Sequence, residues 1–397
     1  MKKTVAIIGG GPSAFAAAAF LDSGLFDVTI YEKNKTVGRK FLVAGKGGFN
    51  LTHSEPIDQL ISRYSESSVL EDALKSFTND DLRAWLDEIG VPTYIGSSKR
   101  IYPEKGIKPI EVLTKLLDVL KSNSVRIEFE KEWNGWSDEG KLKFTSEETI
   151  APDITIFSLG GGSWKVTGSD GSWIDHFEKR GIKTIPFLPS NCAYSINWDS
   201  ELIEKIEGMP LKNIALRSEN KVCTGEVVIT KFGMEGNAIY ALSPEIQAQL
   251  SHSGSATIYL DLKPSFTEEQ VLTKLCDSSL KTTDILRRKL NLSKTQINLL
   301  KSSLTKEEFL SKLQLSEKIK HFPLQIESAA PLDEAISTTG GISMDSITSN
   351  FELKERSNVY CIGEMLDWNA PTGGYLLQAC FSIGVFVAKQ LNSVSKD

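Results

Sequence analysis

The chain has 397 residues, 40% of them hydrophobic, and a formal net charge of −6. That length accommodates two or three structural units, and the hydrophobic share is ordinary for a globular chain. The acidic balance argues mildly against wholesale nucleic-acid binding while leaving room for a local basic patch.

Five cysteines, at 192, 223, 276, 361 and 380, are odd in number and never spaced C-x-x-C. This suits reduced thiols in a cytosolic protein and argues against a flavin–disulfide reductase. Met1-Lys2-Lys3 and the apolar run after it imitate a secretory signal, but three glycines and a proline interrupt that run. No other run approaches the ~20 apolar residues of a membrane span. The expectation is a cytoplasmic chain with no membrane partner and no metal site.

In chain order, residues 5–8 (VAII) read as a short buried strand. Gly9, Gly10 and Gly11 follow, and Ala14 completes a G-x-G-x-x-A pattern at the head of an Ala-rich helix over 13–21. Residues 28–31 form a second apolar strand, closed by Glu32. Gly9 permits a tight turn, Gly11 lets a pyrophosphate approach the backbone, and Ala14 lets the helix pack on the sheet. The helix N-terminus offers N–H groups to phosphates. Glu32, 21 residues after Gly11, is placed to accept hydrogen bonds from ribose hydroxyls. The pattern predicts a dinucleotide site; the alternative is a glycine turn in an unrelated α/β unit.

Residues 33–53 form a long polar, glycine-rich loop, and loops of that length are usually functional. Gly38, Gly45, Gly47 and Gly48 allow close backbone approach. Lys33 opens the loop as a further cofactor contact, and Arg39, Lys40 and Lys46 could neutralise a pyrophosphate. A solvated surface loop is the alternative. His53 is a candidate for proton transfer, and Asn50 and Thr52 for substrate hydrogen bonding; against each stands a satisfied loop residue.

Residues 56–90 carry helical patterns, with Thr78 or Asn79 capping 80–89. An extended piece at 98–103 precedes an amphipathic helix over 109–122. Segments 125–130, 141–145 and 153–157 read as strands, as in a small β-meander followed by a return to the main sheet. The return ends in Leu159, Gly160, Gly161 and Gly162. Glycine-rich turns at strand ends are where open α/β sheets bind ligands, so Gly160 and Gly161 are a second candidate cofactor contact. A plain glycine loop is the alternative.

Residues 190–265 then turn β-rich, and 266–320 helical and rich in Lys, Glu and Leu. The expected division is a discontinuous domain, 1–189 with 336–397, around an inserted domain of 190–335. Residues 285–304 have a faint helix-turn-helix look, but without a capping glycine they read as a charged, solvated helix face. Cys192, at the start of the insert, reads as a buried inert thiol. Near the end, 357–363 is a strand running into Gly363, followed by Glu364 and Asp367. Thr372, Gly373 and Gly374 then open an apolar helix over 375–391. Its N-terminal dipole suits the pyrimidine end of an isoalloxazine ring; an ordinary strand–turn–helix unit is the alternative. No second strand–GxGxxG–helix unit appears, so any NAD(P)H would dock transiently.

These residues sit in co-linear motifs: GGGPSAFAAA (9–18), GRKFLVAGKGGFNLTHSEP (38–56), KRIYPEKGIKP (99–109), GGGSWKVTGSDGSW (160–173), LPSNCAYSINW (188–198), TGEVVITKFGMEGNAIYALSP (224–244), STTGGISMDSI (337–347) and GEMLDWNAPTGGYLLQACFSIG (363–384). On them the chain resembles the BaiN/RdsA-like NAD(P)/FAD-dependent oxidoreductases, and most nearly the subgroup labelled the aminoacetone oxidase family of FAD-binding enzymes. The resemblance implies a doubly wound, Rossmann-like α/β domain binding FAD non-covalently, interrupted by an insert of a small β-barrel and helices. By position, Gly9, Gly11, Pro12, Ser13 and Ala14 would hold the pyrophosphate and Glu32 the adenosine ribose. Arg39 and Lys40 would lie along the cofactor, with Gly160 and Gly161 as the second pass of the chain. Gly363 and Glu364 would approach the ribityl–pyrophosphate region, and Thr372, Gly373, Gly374 and Tyr375 the flavin ring.

One departure stands out. Where the wider family reads S-G-G-G-R-C-N, residues 44–50 carry Gly48 and Phe49 in place of Arg and Cys. Chemistry resting on those two side chains is put in doubt, and the subgroup is favoured. The expected function is a FAD-dependent oxidoreductase of a small molecule, either oxidising an amine with oxygen or reducing an unsaturated substrate with NAD(P)H. The alternatives are a flavoenzyme acting on an RNA base, with 281–320 as the RNA-facing surface, and a non-catalytic FAD-binding protein. Substrate, electron partner and oligomeric state stay open.

Overall fold

The computed structural model describes residues 1–43, 48–276 and 280–395. They divide into two compact units: Met1–Leu188 with Ser337–Asp397, and Pro189–Ile336.

The first unit is built on a five-stranded sheet. Strand β1 (Lys3–Ile8) is central, with β2 (Phe26–Glu32) and then Arg126–Phe129 on one side, and Ile154–Phe157 and then Val359–Cys361 on the other. Every pair is parallel. A parallel strand is covered on both faces and so reads as an unbroken apolar run; Val5, Ala6, Ile7 and Ile8 are all buried. Helix α1 (Pro12–Phe20) follows β1 with Pro at its start. Its residues Ala14 to Ala18 are fully buried.

The sheet corrects one expectation. Residues 126–129 do not begin the meander; they are the edge strand beside β2. The helix Pro109–Ser122 before them, with Val112, Leu113, Leu116 and Leu120 buried, is the crossover that parallel neighbours require. The meander is Trp133–Trp136, Leu142–Phe144 and Thr149–Ile150. Its first strand was not foreseen, because two tryptophans around Asn134 and Gly135 carry no two-residue apolar alternation.

The expected 33–53 loop holds a short helix, Arg39–Val43, and a short strand, Thr52–His53. That strand pairs with Arg100–Pro103, which pairs with Thr93–Ile95. Helix Asn79–Glu88 is capped by Thr78 in a reciprocal box with Asp81. The last helix, Tyr375–Val394, lies against α1. A Cβ on Gly384 would stand 2.5 Å from the Ser13 carbonyl oxygen and 2.9 Å from the Ala16 Cβ, so glycine is what lets the two backbones approach this closely.

The second unit is a six-stranded antiparallel sheet with helices. Its order is Tyr194–Ser195, Gly233–Glu235, Lys221–Ile229, Pro210–Ser218, Ala256–Asp261 and Phe322–Ile326. A bridge between Tyr194 and Ala329, and the Ser195 N–H donating to the Ser328 carbonyl at 2.9 Å, tie the first strand to the segment after the last. The sheet closes on itself. The final strand arrives only after the helices, and Ser200–Ile206 and Ser243–Ser253 lie within the stretch read as β-rich. Helices Thr282–Arg288 and Lys294–Ser303 bury Ile285, Leu286, Ile297, Leu299 and Leu300. Arg287, Arg288, Lys294 and Lys301 stay exposed. Cys192 is buried, and burial pushes its thiol up to about 11, which suits an inert side chain.

Candidate functional site

The β1–α1 turn opens on a cavity of about 380 Å³. Gly9, Gly10, Gly11, Pro12 and Ser13 line it, with Glu32, Lys33, Arg39, Lys40, Gly160 and Glu364 around them. Gly9 has φ of +101°, and a Cβ there would stand 2.3 Å from the Ser158 carbonyl oxygen. The turn can therefore be made only by glycine. At Gly11 the situation is the reverse: an added Cβ would meet nothing within 4 Å. The backbone is bare because the space in front of it is open. The helix begins at Pro12, so the N–H groups of Ser13 and Ala14 belong to its unpaired first turn.

Glu32 is buried at the end of β2. Its Oε2 accepts from the Gly10 N–H at 2.9 Å. Its Oε1 accepts from the Asn34 N–H at 2.8 Å and the Asn34 side-chain amide at 2.7 Å. The carboxylate thus braces the glycine turn across the sheet, and its remaining lone pairs are available to hydroxyl donors.

The basic residues expected at a pyrophosphate are held by partners. Lys33 pairs with Asp170 at 2.7 Å. Lys40 donates to the Ser163 hydroxyl at 2.9 Å and pairs with Glu364 at 3.0 Å. Two residues singled out separately, 40 and 364, therefore form one ion pair at the cavity wall. The Arg39 guanidinium donates to the Val166 carbonyl at 2.7 Å. Lys46, Gly45 and Gly47 lie outside the described residues. Trp173 and Ser169 hold the carbonyls of Gly160 and Gly161, at 3.0 and 2.9 Å. Gly363 packs on Ser13.

The remaining expected residues meet elsewhere in the same unit. Gly374 caps the last helix with φ of +100°, and a Cβ there would stand 2.5 Å from the Thr52 Cα. Gly373 lies against Arg100, and Thr372 precedes them. The Thr52 hydroxyl donates to the Gln378 side-chain oxygen at 2.6 Å. The His53 ring stacks on Tyr375, with centroids 5.1 Å apart. Asn50 sits three residues before His53, its N–H donating to the Gly48 carbonyl at 2.9 Å. Neither Asn50, His53 nor the 372–375 turn lines the cavity above. Phe49 stands where the wider family has a cysteine; it is buried, edge-on to Phe41 at 4.9 Å.

Around His53 is a buried carboxylate that sequence reasoning missed. The Tyr375 hydroxyl donates to Glu55 Oε1 at 2.7 Å. Arg63 donates to both Glu55 oxygens, at 3.1 and 3.0 Å, a bidentate geometry. Burial works against the Glu55 charge, but Arg63 and Tyr375 outweigh it and hold the carboxyl below its ordinary value. Burial also holds the His53 imidazole below its ordinary value, against the pull of Glu55. The Glu55 N–H donates to His53 Nδ1 at 3.3 Å, so the proton of the neutral ring lies on Nε2. The only signal in the sequence was Glu55 and Arg63 eight residues apart.

The model of the HI0933-like protein Rossmann domain family matches residues 3–390. The chain is 25% identical to the 3-dehydro-bile acid delta(4,6)-reductase of Clostridium scindens, over 97% of this chain and 98% of that protein. It is 24% identical to the ribosomal RNA dihydrouridine synthase of Haemophilus influenzae, over 95% of each. The fold is similar to that of 3-ketosteroid-delta4-(5alpha)-dehydrogenase from Rhodococcus jostii RHA1, with a TM-score of 0.51 at 12% identity, covering 100% of this chain and 97% of that one. No described helix is long and apolar enough to cross a membrane. With its glycine turn, its braced acid and a family match spanning nearly its whole length, the chain belongs to the HI0933-like family and has the Rossmann-type FAD-binding fold of flavoprotein oxidoreductases.

Proposed function

We propose that the protein is a FAD-dependent reductase that adds hydrogen across a carbon–carbon double bond made electron-poor by a carbonyl group. The open space at Gly11, within a turn that glycine alone can make at Gly9, is the observation that carries the cofactor. The donor set suits a pyrophosphate: a bare backbone, a helix start, and Lys40 within reach of the same wall. The direction of the chemistry is supported by the relatives. One is named for reducing delta(4,6) bonds and the other for making dihydrouridine, and both names describe saturation of a ring double bond.

Bound FAD supplies the hydride chemistry. The chain's own residues do the rest. Gly11, Ser13 and Ala14 seat the pyrophosphate, and Pro12 starts the helix there without an N–H. Glu32 keeps the turn in shape while accepting from ribose hydroxyls. Lys33, Arg39 and Lys40, with Gly160, Gly161, Gly363 and Glu364, flank the cofactor. Thr372, Gly373, Gly374 and Tyr375 place the positive end of the last helix toward the ring. His53 acts in proton transfer, with its proton on Nε2, and Asn50 offers hydrogen bonds to substrate.

The purified protein is expected to show a flavin spectrum that NADPH bleaches promptly without oxygen. A flavin that NADPH leaves oxidised, but that a small amine reduces, would replace the reductase with an amine oxidase.

A second reading, reduction of an RNA base, is favoured by one observation. Residues 281–320 carry ten Lys and Arg against four Asp and Glu in a chain of net charge −6, and Arg287, Arg288 and Lys294 are exposed. Ribosomal RNA binding that weakens steeply between 50 and about 200 mM salt would support it; salt-independent or absent binding would remove it.

A further inference from the structure

The three-stranded sheet of Thr52–His53, Arg100–Pro103 and Thr93–Ile95 has two unlike faces. Residues opposite one another in an antiparallel pair share a face, and so do alternate residues along a strand. His53 is opposite Arg100, and Tyr94 is opposite Tyr102. One face therefore carries Thr52, Ile101 and Pro103, all buried. The other carries His53, Arg100, Tyr102 and Tyr94, all half-buried. The Tyr94 and Tyr102 rings stack there, with centroids 5.7 Å apart and planes 26° from parallel.

Arg100 is the exception among the arginines of the first unit. Arg39, Arg63, Arg83, Arg126, Arg180 and Arg356 each donate a hydrogen bond to a described residue. Arg100 donates none among the described residues. A guanidinium has five donors, no acceptor and a permanent charge. The carboxylate beside His53 does not serve it, because Glu55 is already held by Arg63 and Tyr375. A Cβ on Gly373 would stand 3.3 Å from Arg100 Nε and 3.3 Å from the Tyr375 ring. The unpartnered charge thus lies against the turn that opens the last helix, and His53, stacked on Tyr375, flanks the same turn. Burial first, and then the Arg100 and Arg63 charges, hold the His53 imidazole low, against the pull of Glu55.

We propose that Arg100 binds the carbonyl oxygen of a flat, conjugated ring substrate that lies along the tyrosine side of this face. The proposal rests on the reductase reading above and deepens it, by naming the group that meets the developing charge. A hydride from the reduced cofactor adds to the β carbon of an enone. The carbon–carbon π pair shifts, and the carbonyl oxygen takes the negative charge of an enolate. A proton added at the α carbon then restores the carbonyl. Hydride and proton together saturate the bond, and the cofactor is oxidised by the same two electrons. A guanidinium at that oxygen speeds the step because its hold strengthens as the charge appears.

The test uses the full-length, FAD-loaded protein and para-nitrophenol, a flat phenol whose yellow phenolate imitates the enolate. Bound to the wild type, the phenol is expected to ionise at a lower pH than it does free in solution. Arg100→Gln is expected to weaken phenolate binding about tenfold, as for one lost charged hydrogen bond, and to abolish the ionisation shift. Arg100→Lys keeps the charge and is expected to restore part of that shift. A side chain that only packs against Gly373 would leave the ionisation of a bound phenol unmoved. In turnover with NADPH and cyclohexenone, Arg100→Gln is expected to lower kcat about a hundredfold, as for one donor lost at a developing oxyanion, with flavin content unchanged. The shift on the wild type stands as a readout even if Arg100→Gln folds poorly. A wild type that binds the phenol without lowering its ionisation pH, or a phenolate bound equally by wild type and Arg100→Gln, overturns the role of Arg100 and leaves the reductase reading intact. A wild type whose flavin NADPH leaves oxidised, or that reduces no cyclohexenone, overturns both.

Discussion

Replacing Gly11 with Val is expected to abolish the flavin spectrum of the purified protein without unfolding it. An added Cβ at this position meets nothing within 4 Å, and the backbone, at φ −102° and ψ −178°, is one that valine adopts freely. The folded chain has no reason to object. The cofactor does, because the branched side chain occupies the space over the turn. Overpacking of about 3 kcal/mol corresponds to roughly a hundredfold weaker FAD binding. The measurement is flavin content together with the midpoint of urea unfolding. Gly9→Val is the contrasting control. Its Cβ would strike the Ser158 carbonyl and its φ is positive, so it should lose stability first and the cofactor only as a result. A Gly11→Val protein that purifies with full FAD would remove the turn from the cofactor site.

Arg63→Ala is expected to cost about 3 kcal/mol of stability at neutral pH, at the low end of what breaking a buried ion pair costs. Glu55 is 5% exposed and would keep the Tyr375 hydroxyl and, when the ring is protonated, the His53 imidazole 4.0 Å away, while Arg63 itself is half-exposed, which moderates the loss. The pH dependence identifies the source. Glu55 in the folded protein is held below its ordinary value, so it adds stability above that ordinary value, and this is lost as pH falls through the folded one. His53 is also held below its ordinary value, so its contribution is likewise present above roughly pH 6.5 and lost on acidification. The wild type should therefore weaken in acid, and its advantage over Arg63→Ala should shrink towards pH 4. Urea unfolding at pH 7 and pH 4 checks this. An undiminished gap in acid would mean that Arg63 acts through packing and not through the Glu55 charge.

The parts of the fold that were legible are those whose cause is local. Residues 5–14 announce strand, turn and helix within ten positions, because each glycine and the small Ala14 answer a steric demand in that same segment. The helix Pro109–Ser122 is legible from its period and its proline. Strand Arg126–Phe129 was legible as a strand but not as a member of the main sheet, since four residues do not state their partner; the crossover helix before it was the clue. The closing strand Phe322–Ile326 was hidden because it pairs with Ala256–Asp261 across the five helices that the described residues between them form. The site divides the same way. Glu32 and the glycine turn form one continuous pattern, whereas Glu55, Arg63 and Tyr375 meet only because the last helix returns to the Thr52–His53 strand. No spacing rule joins residue 55 to residue 375.

The contact between Gly384 and the Ser13 carbonyl has a consequence for the making of the protein. The helix that starts at the glycine turn leaves the ribosome long before the last helix, a surface it leans on that is made more than 350 residues later. At about 5–20 residues per second, the wait is roughly 20–70 s. Over that interval α1, with its run of buried alanines, has β1 and the helix Pro109–Ser122 beside it but not the last helix, while the segment Pro189–Ile336 is drawn from consecutive chain. Until residues 375–394 are made, α1 lacks the helix whose Gly384 backs its first turn.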